Sequence, residues 1–598
     1  NLTESLYENP RRFWSAVKHS TKNRKDVNFL KTENSYTTDN VEIANILNTF
    51  FHSVFNPKDT KSFTTPPLPL TSTTGELSDI QLTELEVVGV LRNLNSQKAC
   101  GPDNIPNRLL IELADVIAPS LCDVFNMSLA LGVVPLQWKM ANITPVHKRE
   151  DPTLATNYRP ISLLCTLSKV LERCVYNHSY QHLEPHMYHM QHGFIRGKST
   201  TTQLLEVYHK ILESISSGCE VDAIYLDFSK AFDKVPHHLL LTKLESLGIT
   251  GSLLSWFESY LTDRQQRVVI HGVCSEWLPV TSGVPQGSIL GPLLFLVYCN
   301  DIPTCIEENS TLALFADDSK LYRTLSSPTS SASLQHDLCN IIRWTTNNQM
   351  ELNTVKCKAL HISRKRTPTQ TQYVINENIV EQVPIIKDLG VLITSNLCWS
   401  KHIESIVSSA NKTLGLVKRI CKEVKNTNAR KTLYCALVRP KLEYACSVWS
   451  PYTIKHRLLI ENVQRRASKF ILNYPENIPY VERLQKAKLL PLEFRREMSD
   501  LILLFKSKHH LITMDINKYI YTYNPTYQSR NYDENNFNIM IRHKQDYFQN
   551  SYFVRTAKLW NNLPTELKAI NSLGAFRSRL NKLYSRKAKS YKLPNNHS

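Results

Sequence analysis

A chain of 598 residues is too long to close around one hydrophobic core, so several subdomains are expected. Its 42% hydrophobic content excludes wholesale disorder, and 71 Lys and Arg against 53 Asp and Glu, net +18, favour nucleic acid over an anionic membrane surface as the polyanionic partner. The 14 cysteines include no C-x-x-C pair, which excludes a zinc knuckle or redox dithiol and reads as reduced intracellular thiols. Asn-x-Ser/Thr triplets at Asn1, Asn126, Asn177, Asn309 and Asn411 come without a secretory signal and read as chance matches. No apolar run reads as long enough to span a membrane, Pro292 to Tyr298 being far too short. The chain opens on Asn1 in mid-pattern, which suggests a fragment of something longer.

Residues 1–60 mix helical patterns, Pro10 to Val17 and Val41 to Phe55, with a basic polar stretch from Lys18 to Lys31. Pro66, Pro67 and Pro69 within a Ser/Thr cluster mark a linker. Leu77 to Leu85 reads as a helix start with Ser78 as its cap. A turn-rich segment, Lys98 to Pro106, leads into an apolar helix around Leu109 to Ile117. Trp138 to Lys148 is expected to be a strand carrying basic residues outward, and Asn157-Tyr-Arg-Pro-Ile-Ser-Leu-Leu164 feeds a helix through Lys169, Glu172 and Arg173. In Gln191-His-Gly-Phe-Ile-Arg-Gly-Lys-Ser-Thr200 the glycines permit close backbone approach, and Arg196 and Lys198 are available to phosphates. This is not a Walker loop, and a surface loop with two solvated cations fits the same residues.

Val221-Asp-Ala-Ile-Tyr-Leu-Asp227 is a β-rich run ending on an acid, followed by Phe228 to Asp233. Pro236 to Leu247 has helical periodicity that Gly248 can end, and Gln266 to His271 reads as a strand. In Thr281 to Leu294 a Gly-rich loop gives way to a helix that Ser288 could cap, an arrangement suited to contact with a nucleotide or base pair. Leu312 to Ala316 is an apolar run that stops at Asp317 and Asp318 before Leu321 and Tyr322, so a hairpin with its charges at the tip is expected. Alone, such a pair is an ordinary solvated turn. With Asp227 it becomes three carboxylates at one sheet edge. Hard divalent cations take such oxygen ligands, and two ions about 4 Å apart serve phosphoryl transfer.

Further on, a helix is expected from Leu334 to Met350, and Leu352 to Leu360 runs into a strand. Val383 to Leu392 and Leu397 to His402 read as the two arms of a hairpin. Ile403 to about Tyr474 is helical and basic (Lys418, Arg419, Arg465, Arg466, Lys469), and Leu489 to Lys506 continues as helix. Thr513 to Gln549 is polar with weak periodicity, and Leu573 to Lys592 is a basic helix. No internal repeat is evident.

In order, the segments Asn157–Leu164, His192–Thr200, Leu226–His237, Ser282–Leu294, Leu314–Tyr322, Leu352–Lys356 and Asp388–Val391 resemble the reverse transcriptase of non-LTR (LINE-type) retrotransposons. The jockey-like group or its chicken-repeat relatives look nearest, and the likeness covers roughly residues 95–395. Tyr444 to Trp449, Glu461 to Arg466 and Leu559 to Pro564 are similar to that family's C-terminal region. The resemblance implies an α+β right-hand polymerase with fingers and palm over 95–395, after an N-terminal helical extension and linker over 1–94. A helical thumb-like region over 396–510 and a basic C-terminal region over 511–598 follow, the latter a candidate for binding RNA.

It further implies an RNA-directed DNA polymerase, a nucleotidyltransferase extending a DNA primer or target DNA on an RNA template with dNTPs. Asp227, Asp317 and Asp318 would be its catalytic and metal-binding carboxylates, with two Mg²⁺ ions and Mn²⁺ as a substitute. Phe232 falls where the family keeps a bulky residue under the sugar, Gln286 lines the nucleotide pocket, and Arg196 meets the triphosphate with Lys198 as a second candidate. Lys356 matches a position assigned to protonating pyrophosphate. Outside these motifs Phe232 would be a core aromatic and Lys356 a solvated lysine. Asp233 is expected to cap the helix that follows it. The resemblance also places the protein in an intracellular ribonucleoprotein, nuclear and cytoplasmic, with no membrane partner. Residues 1–95 are too short for the family's endonuclease, and neither a C-terminal Cys/His knuckle nor a ribonuclease H acid set is evident. A non-catalytic nucleic-acid-binding relic and a group II intron-type maturase are the other readings. A pure binder gains nothing from three clustered like charges, and the flanks do not suggest a maturase.

Overall fold

Two five-stranded sheets organise the protein, and helices cover both faces of the central one. The computed structural model describes residues 27–32, 35–57, 75–148, 150–473, 478–522, 536–540 and 543–593. The helical pattern at Pro10 to Val17, most of the basic stretch that follows it and the proline linker lie outside the described residues.

Helix α1 (Asn40–Ser53) starts at Asp39, whose carboxylate accepts from the Glu42 amide at 2.9 Å. Helix α2 (Glu84–Arg92) is capped by Thr83 rather than Ser78. The earlier stretch is engaged elsewhere: Leu77 bridges Ile249, and the Ser78 carbonyl accepts from the Leu253 amide. After Pro106 a short helix, Asn107–Glu112, precedes α3 (Ala114–Leu131). By length and composition α3 is apolar enough to cross a membrane, and 33% of it is buried in the protein. This corrects the expectation that no such run exists; Asp115, Pro119 and Asp123 interrupt it in sequence and hid it.

There follow β1 (Met140–His147), β2 (Tyr158–Leu164), α4 (Thr166–Leu183), α5 (Thr200–Ser216), β3 (Glu220–Leu226), α6 (His237–Ser246), β4 (Arg264–Ile270) and α7 (Leu290–Cys299). The peripheral sheet has the order β2-β1-β4, extended by Val273–Cys274, with Leu278–Val280 also pairing β4. Ile43, Leu47 and Phe51 of α1 pack against its Ile143 and Val268.

Next come β5 (Ser310–Phe315), β6 (Asp318–Leu325), α8 (Ser330–Asn347), β7 (Lys358–Ile362) and β8 (Glu381–Gln382). The central sheet has the order β8-β7-β3-β6-β5, so β3, which Asp227 follows directly, lies beside the acidic hairpin. Side chains alternate along a strand, and here both faces are buried. Ile224 and Leu226 of β3 join Leu240, Leu294 and Leu338 from α6, α7 and α8. Val221 and Ala223 face the other way, with Val207 and Ile211 of α5. Burial on both sides explains why these strands read as short continuous apolar runs.

The hairpin expected over 383–402 is tighter than the sequence suggested. It pairs β9 (Ile385–Asp388) with β10 (Val391–Thr394) across Leu389 and Gly390, both at positive φ. Leu397 to His402 instead leads into α9 (Ser400–Ile420). Beyond it stand α10 (Ile454–Leu472), α11 (Leu492–Lys508), α12 (Tyr552–Asn561) and α13 (Leu573–Lys587). Their apolar faces share one cluster with the central strands: Phe505 stacks on Phe576 at 4.3 Å, and Trp560, Phe576 and Tyr584 belong to the same buried cluster as residues of β3, β6 and β7. Within Thr513 to Gln549, Ile520–Thr522 pairs with Phe537–Ile539.

Candidate active site

The site is an edge of the central sheet. Pairing of Phe315 with Asp318 leaves Ala316 and Asp317 as a two-residue turn, with Ala316 in the left-handed region at φ 56°. That turn takes Asp317 out of strand alternation. Between β3 and β6, Ser319 pairs with Leu226, so one further step sets Asp318 opposite Asp227. Burial, then the charge of Asp227, raises the Asp317 carboxyl above its ordinary range. Asp318, still open to solvent, is pushed up to about 6 by desolvation and then by Asp317 and Asp227. Among the described residues no group of three or more His, Cys, Asp or Glu side chains is set at metal-holding spacing. The donor set nonetheless fits hard cations: neighbouring carboxylates raise Asp317 and Asp318, and a divalent ion relieves such repulsion.

Two loops hold this edge. Gly193 packs so closely on the turn that a Cβ there would lie 2.3 Å from the Ala316 nitrogen. The Gln191 side-chain oxygen accepts from the Gly193 amide at 2.8 Å and the Ala316 amide at 3.0 Å. The sequence showed the glycines; it did not show that Gln191 pins the turn. On the other side, the Phe232 carbonyl accepts from the Val284 amide at 2.8 Å and the Ser282 hydroxyl donates to the Asp233 carbonyl. Phe232 stacks on Phe295 at 4.4 Å, and Phe194 stands edge-on to it at 6.3 Å.

Asp233 does not cap α6, which starts after Pro236 without a side-chain cap. It is buried instead, accepts from the Gln286 amide nitrogen at 2.8 Å, and burial lifts its carboxyl to about 6. Ser288 does serve the start of α7, accepting from the Gly291 amide at 2.8 Å, while the buried Glu172 accepts from the Ile289 amide at 2.7 Å.

The cations separate into two sets. Lys356 lies 3.4 Å from Asp227. Lys148 and Arg159, on the β1–β2 hairpin, act electrostatically on Asp317, and Lys148 and Lys230 act on Asp233. Burial, and then neighbouring cations, lowers both lysine pKa values: Arg159 and Lys356 act on Lys148, and Lys148 acts on Lys230. Sequence reasoning passed over Lys148, Arg159 and Lys230 as site residues, although all three sit in the quoted motifs or beside them. Arg196 and Lys198 stand apart from this group. The Arg196 guanidinium lies 4.6 Å from the Tyr180 ring centre, and the Lys198 ammonium donates to the His189 and Gln191 carbonyls.

Beneath the acidic edge lies a buried polar network that sequence reasoning also missed. Lys320 pairs with Asp388 at 2.5 Å, and Tyr208 donates to the same carboxylate oxygen at 2.6 Å while meeting the Tyr225 hydroxyl at 2.8 Å.

Residues 146–393 match the family described as reverse transcriptase (RNA-dependent DNA polymerase). The chain is 30% identical over 398 residues to the probable RNA-directed DNA polymerase from transposon X-element of Drosophila melanogaster, covering 64% of this chain and 43% of that protein. It is 29% identical over 402 residues to the RNA-directed DNA polymerase from mobile element jockey of the same species, covering 65% and 44%. The probable RNA-directed DNA polymerase from transposon BS, again from Drosophila melanogaster, is 28% identical over 406 residues, with 65% and 44% covered. The alignments thus span less than half the length of these relatives. Residues 146–393 are thus similar to the reverse transcriptase family, and about 400 residues of the chain are similar to the RNA-directed DNA polymerases of these mobile elements.

Proposed function

We propose that this chain is an RNA-directed DNA polymerase that extends a DNA 3′-end on an RNA template. One observation carries the reading: the strand register sets Asp318 opposite Asp227 with Asp317 in the adjoining turn, three carboxylates at one end of one sheet. The central sheet would be the palm and the peripheral sheet the fingers, spanning 95–395; helices over 396–510 would be the thumb, and 511–598 a further basic region. Residues 1–94 would be an N-terminal extension whose α1 leans on the fingers.

Asp227, Asp317 and Asp318 would hold the divalent cations, two Mg²⁺ with Mn²⁺ as a substitute. Bound there, the metal supplies acidification of the primer hydroxyl and neutralisation of the triphosphate. The protein's own groups do the rest. Lys148 and Arg159 act on the acidic edge and would take the triphosphate charge together with Arg196 and Lys198, whose heads lie beside the Tyr180 ring and the His189 and Gln191 carbonyls. Phe232, fixed from below by Phe295, would press on the sugar and exclude a 2′-hydroxyl. Gln286, oriented by Asp233, would line the base pocket. Lys356, beside Asp227, would hand a proton to the departing pyrophosphate.

The test is primer extension on an RNA template with an annealed DNA primer in Mg²⁺, alongside Asp318→Ala. Extension with dNTPs that is lost in Asp318→Ala bears the reading out. Wild-type protein that binds the duplex and never extends it would instead be a relic.

A further inference from the structure

The loop from Gln191 to Lys198 is gripped at two glycines four residues apart. At one end Gly193 lies against the catalytic turn, and the His192 amide donates to the Leu314 carbonyl at 2.9 Å. At the other end Gly197, at φ +75°, lies against Thr513, in the segment after α11 and far outside the residues that match the family. The Thr513 amide donates to the Gly197 carbonyl at 3.0 Å, and its hydroxyl donates to the Arg196 carbonyl at 3.3 Å. A Cβ on Gly197 would meet the Thr513 hydroxyl at 2.6 Å and its nitrogen at 3.0 Å. The segment is itself anchored. The Leu511 amide donates to the Lys506 carbonyl at 2.8 Å, the Ser507 hydroxyl donates to the Met514 carbonyl, and Met514 and Ile516 are buried.

The loop between the two grips is short and held midway, with the Arg196 amide donating to the Tyr180 hydroxyl at 2.9 Å and Phe194 facing Phe232. We propose that the Ile512–Met514 segment is a positioning element for the active site: by seating Gly197, Thr513 sets where the loop presses Gly193 and Gln191 on the Ala316–Asp317 turn. The region beyond the thumb is thereby part of the machinery that aligns the carboxylates. Its effect on turnover rests on the polymerase reading; its effect on the loop does not.

The experiment uses the full chain with Gly197→Ala, Thr513→Gly and the double variant. Two measurements are made on each: amide hydrogen exchange across residues 190–200, and kcat, dNTP KM and duplex Kd in primer extension. Gly197→Ala is expected to speed exchange at the His192 and Gly193 amides and to lower kcat at least tenfold, with duplex Kd within twofold. Thr513→Gly removes the clashing hydroxyl but not the strain of a side chain at φ +75°, so the double variant is expected to regain part of that loss, at least twofold in kcat, with slower exchange at the His192 and Gly193 amides than in Gly197→Ala. Thr513→Gly alone is expected to show faster loop exchange and a kcat reduced about threefold, which keeps the test open if Gly197→Ala does not fold. The proposal is overturned if exchange changes only at residues 511–515, or if the double variant behaves as Gly197→Ala does. A wild type that never extends primers would sink the polymerase reading, while the exchange data would still decide the positioning contact.

Discussion

Lys320 and Asp388 form an ion pair at 2.5 Å with each side chain only 4% exposed, and it joins the strand that begins at Asp318 to the β9–β10 turn. Removing one partner leaves a buried charge alone, a loss of about 3–5 kcal/mol. Lys320→Met and Asp388→Leu are each expected to lower stability by about that amount, and together to cost much less than their sum. Urea denaturation of the two single variants and the double variant measures this; simple additivity would show that the pair carries no coupling.

Asp318 offers a pH signature. Its folded carboxyl is held at about 6, above the ordinary aspartate value of 3.8, so the folded state retains the proton longer than the unfolded one. Stability attached to this group is therefore present below the unfolded value and lost as pH rises through about 6. In EDTA, Asp318→Asn is expected to melt above the wild type at pH 7.5 and to converge with it below pH 4. Adding Mg²⁺ should narrow the gap at pH 7.5 by stabilising only the wild type. Scanning calorimetry across this range decides it, and a variant less stable at pH 7.5 in EDTA would contradict the electrostatic account.

Gly193 has no room for a methyl group, since the Ala316 nitrogen is backbone and cannot swing aside. Gly193→Ala is expected to reduce primer extension at least a hundredfold while leaving duplex affinity within about threefold. Filter binding and single-nucleotide addition separate the two quantities.

Gln286 and Asp233 should behave as a unit. Asp233→Asn keeps an oxygen that accepts from Gln286, so dNTP KM is expected to stay within about threefold of wild type. Asp233→Leu removes the acceptor and is expected to raise KM about tenfold. Equal effects from both substitutions would mean that the hydrogen bond does not orient Gln286.

Phe232 rests on Phe295, which would keep its ring from retreating from a sugar bound above it. Phe232→Val is expected to raise incorporation of NTPs relative to dNTPs by at least tenfold, measured as the ratio of kcat/KM. An unchanged ratio would return Phe232 to the status of a core aromatic.

The elements around the site were legible because each strand is buried on both faces and ends on an acid, a pattern that survives in one dimension. What escaped was pairing at a distance. Asp233 has a free-looking cap position in sequence, but its partner Gln286 is fifty-three positions away, and only folding brings them together. Lys148, Arg159 and Lys230 look like scattered surface cations until folding sets Lys148 and Arg159 near Asp317, and Lys148 and Lys230 near Asp233. Thr83 displaced Ser78 as a cap because Ser78 is held by the neighbouring Leu253. The roles expected of Arg196 and Lys198 rest on motif matching, to which the structure adds the ring and carbonyl groups beside their heads.

The cluster uniting β3, β6 and β7 with Trp560, Phe576 and Tyr584 bears on how the protein is made. On the ribosome, β3 and β6 emerge after α5, which covers one of their faces, but hundreds of residues before α12 and α13, which complete the same buried cluster. Until those helices arrive, that side of the core lacks its outer layer. Translation that stops early would release an unfinished chain with apolar helix faces open to chaperones and aggregation.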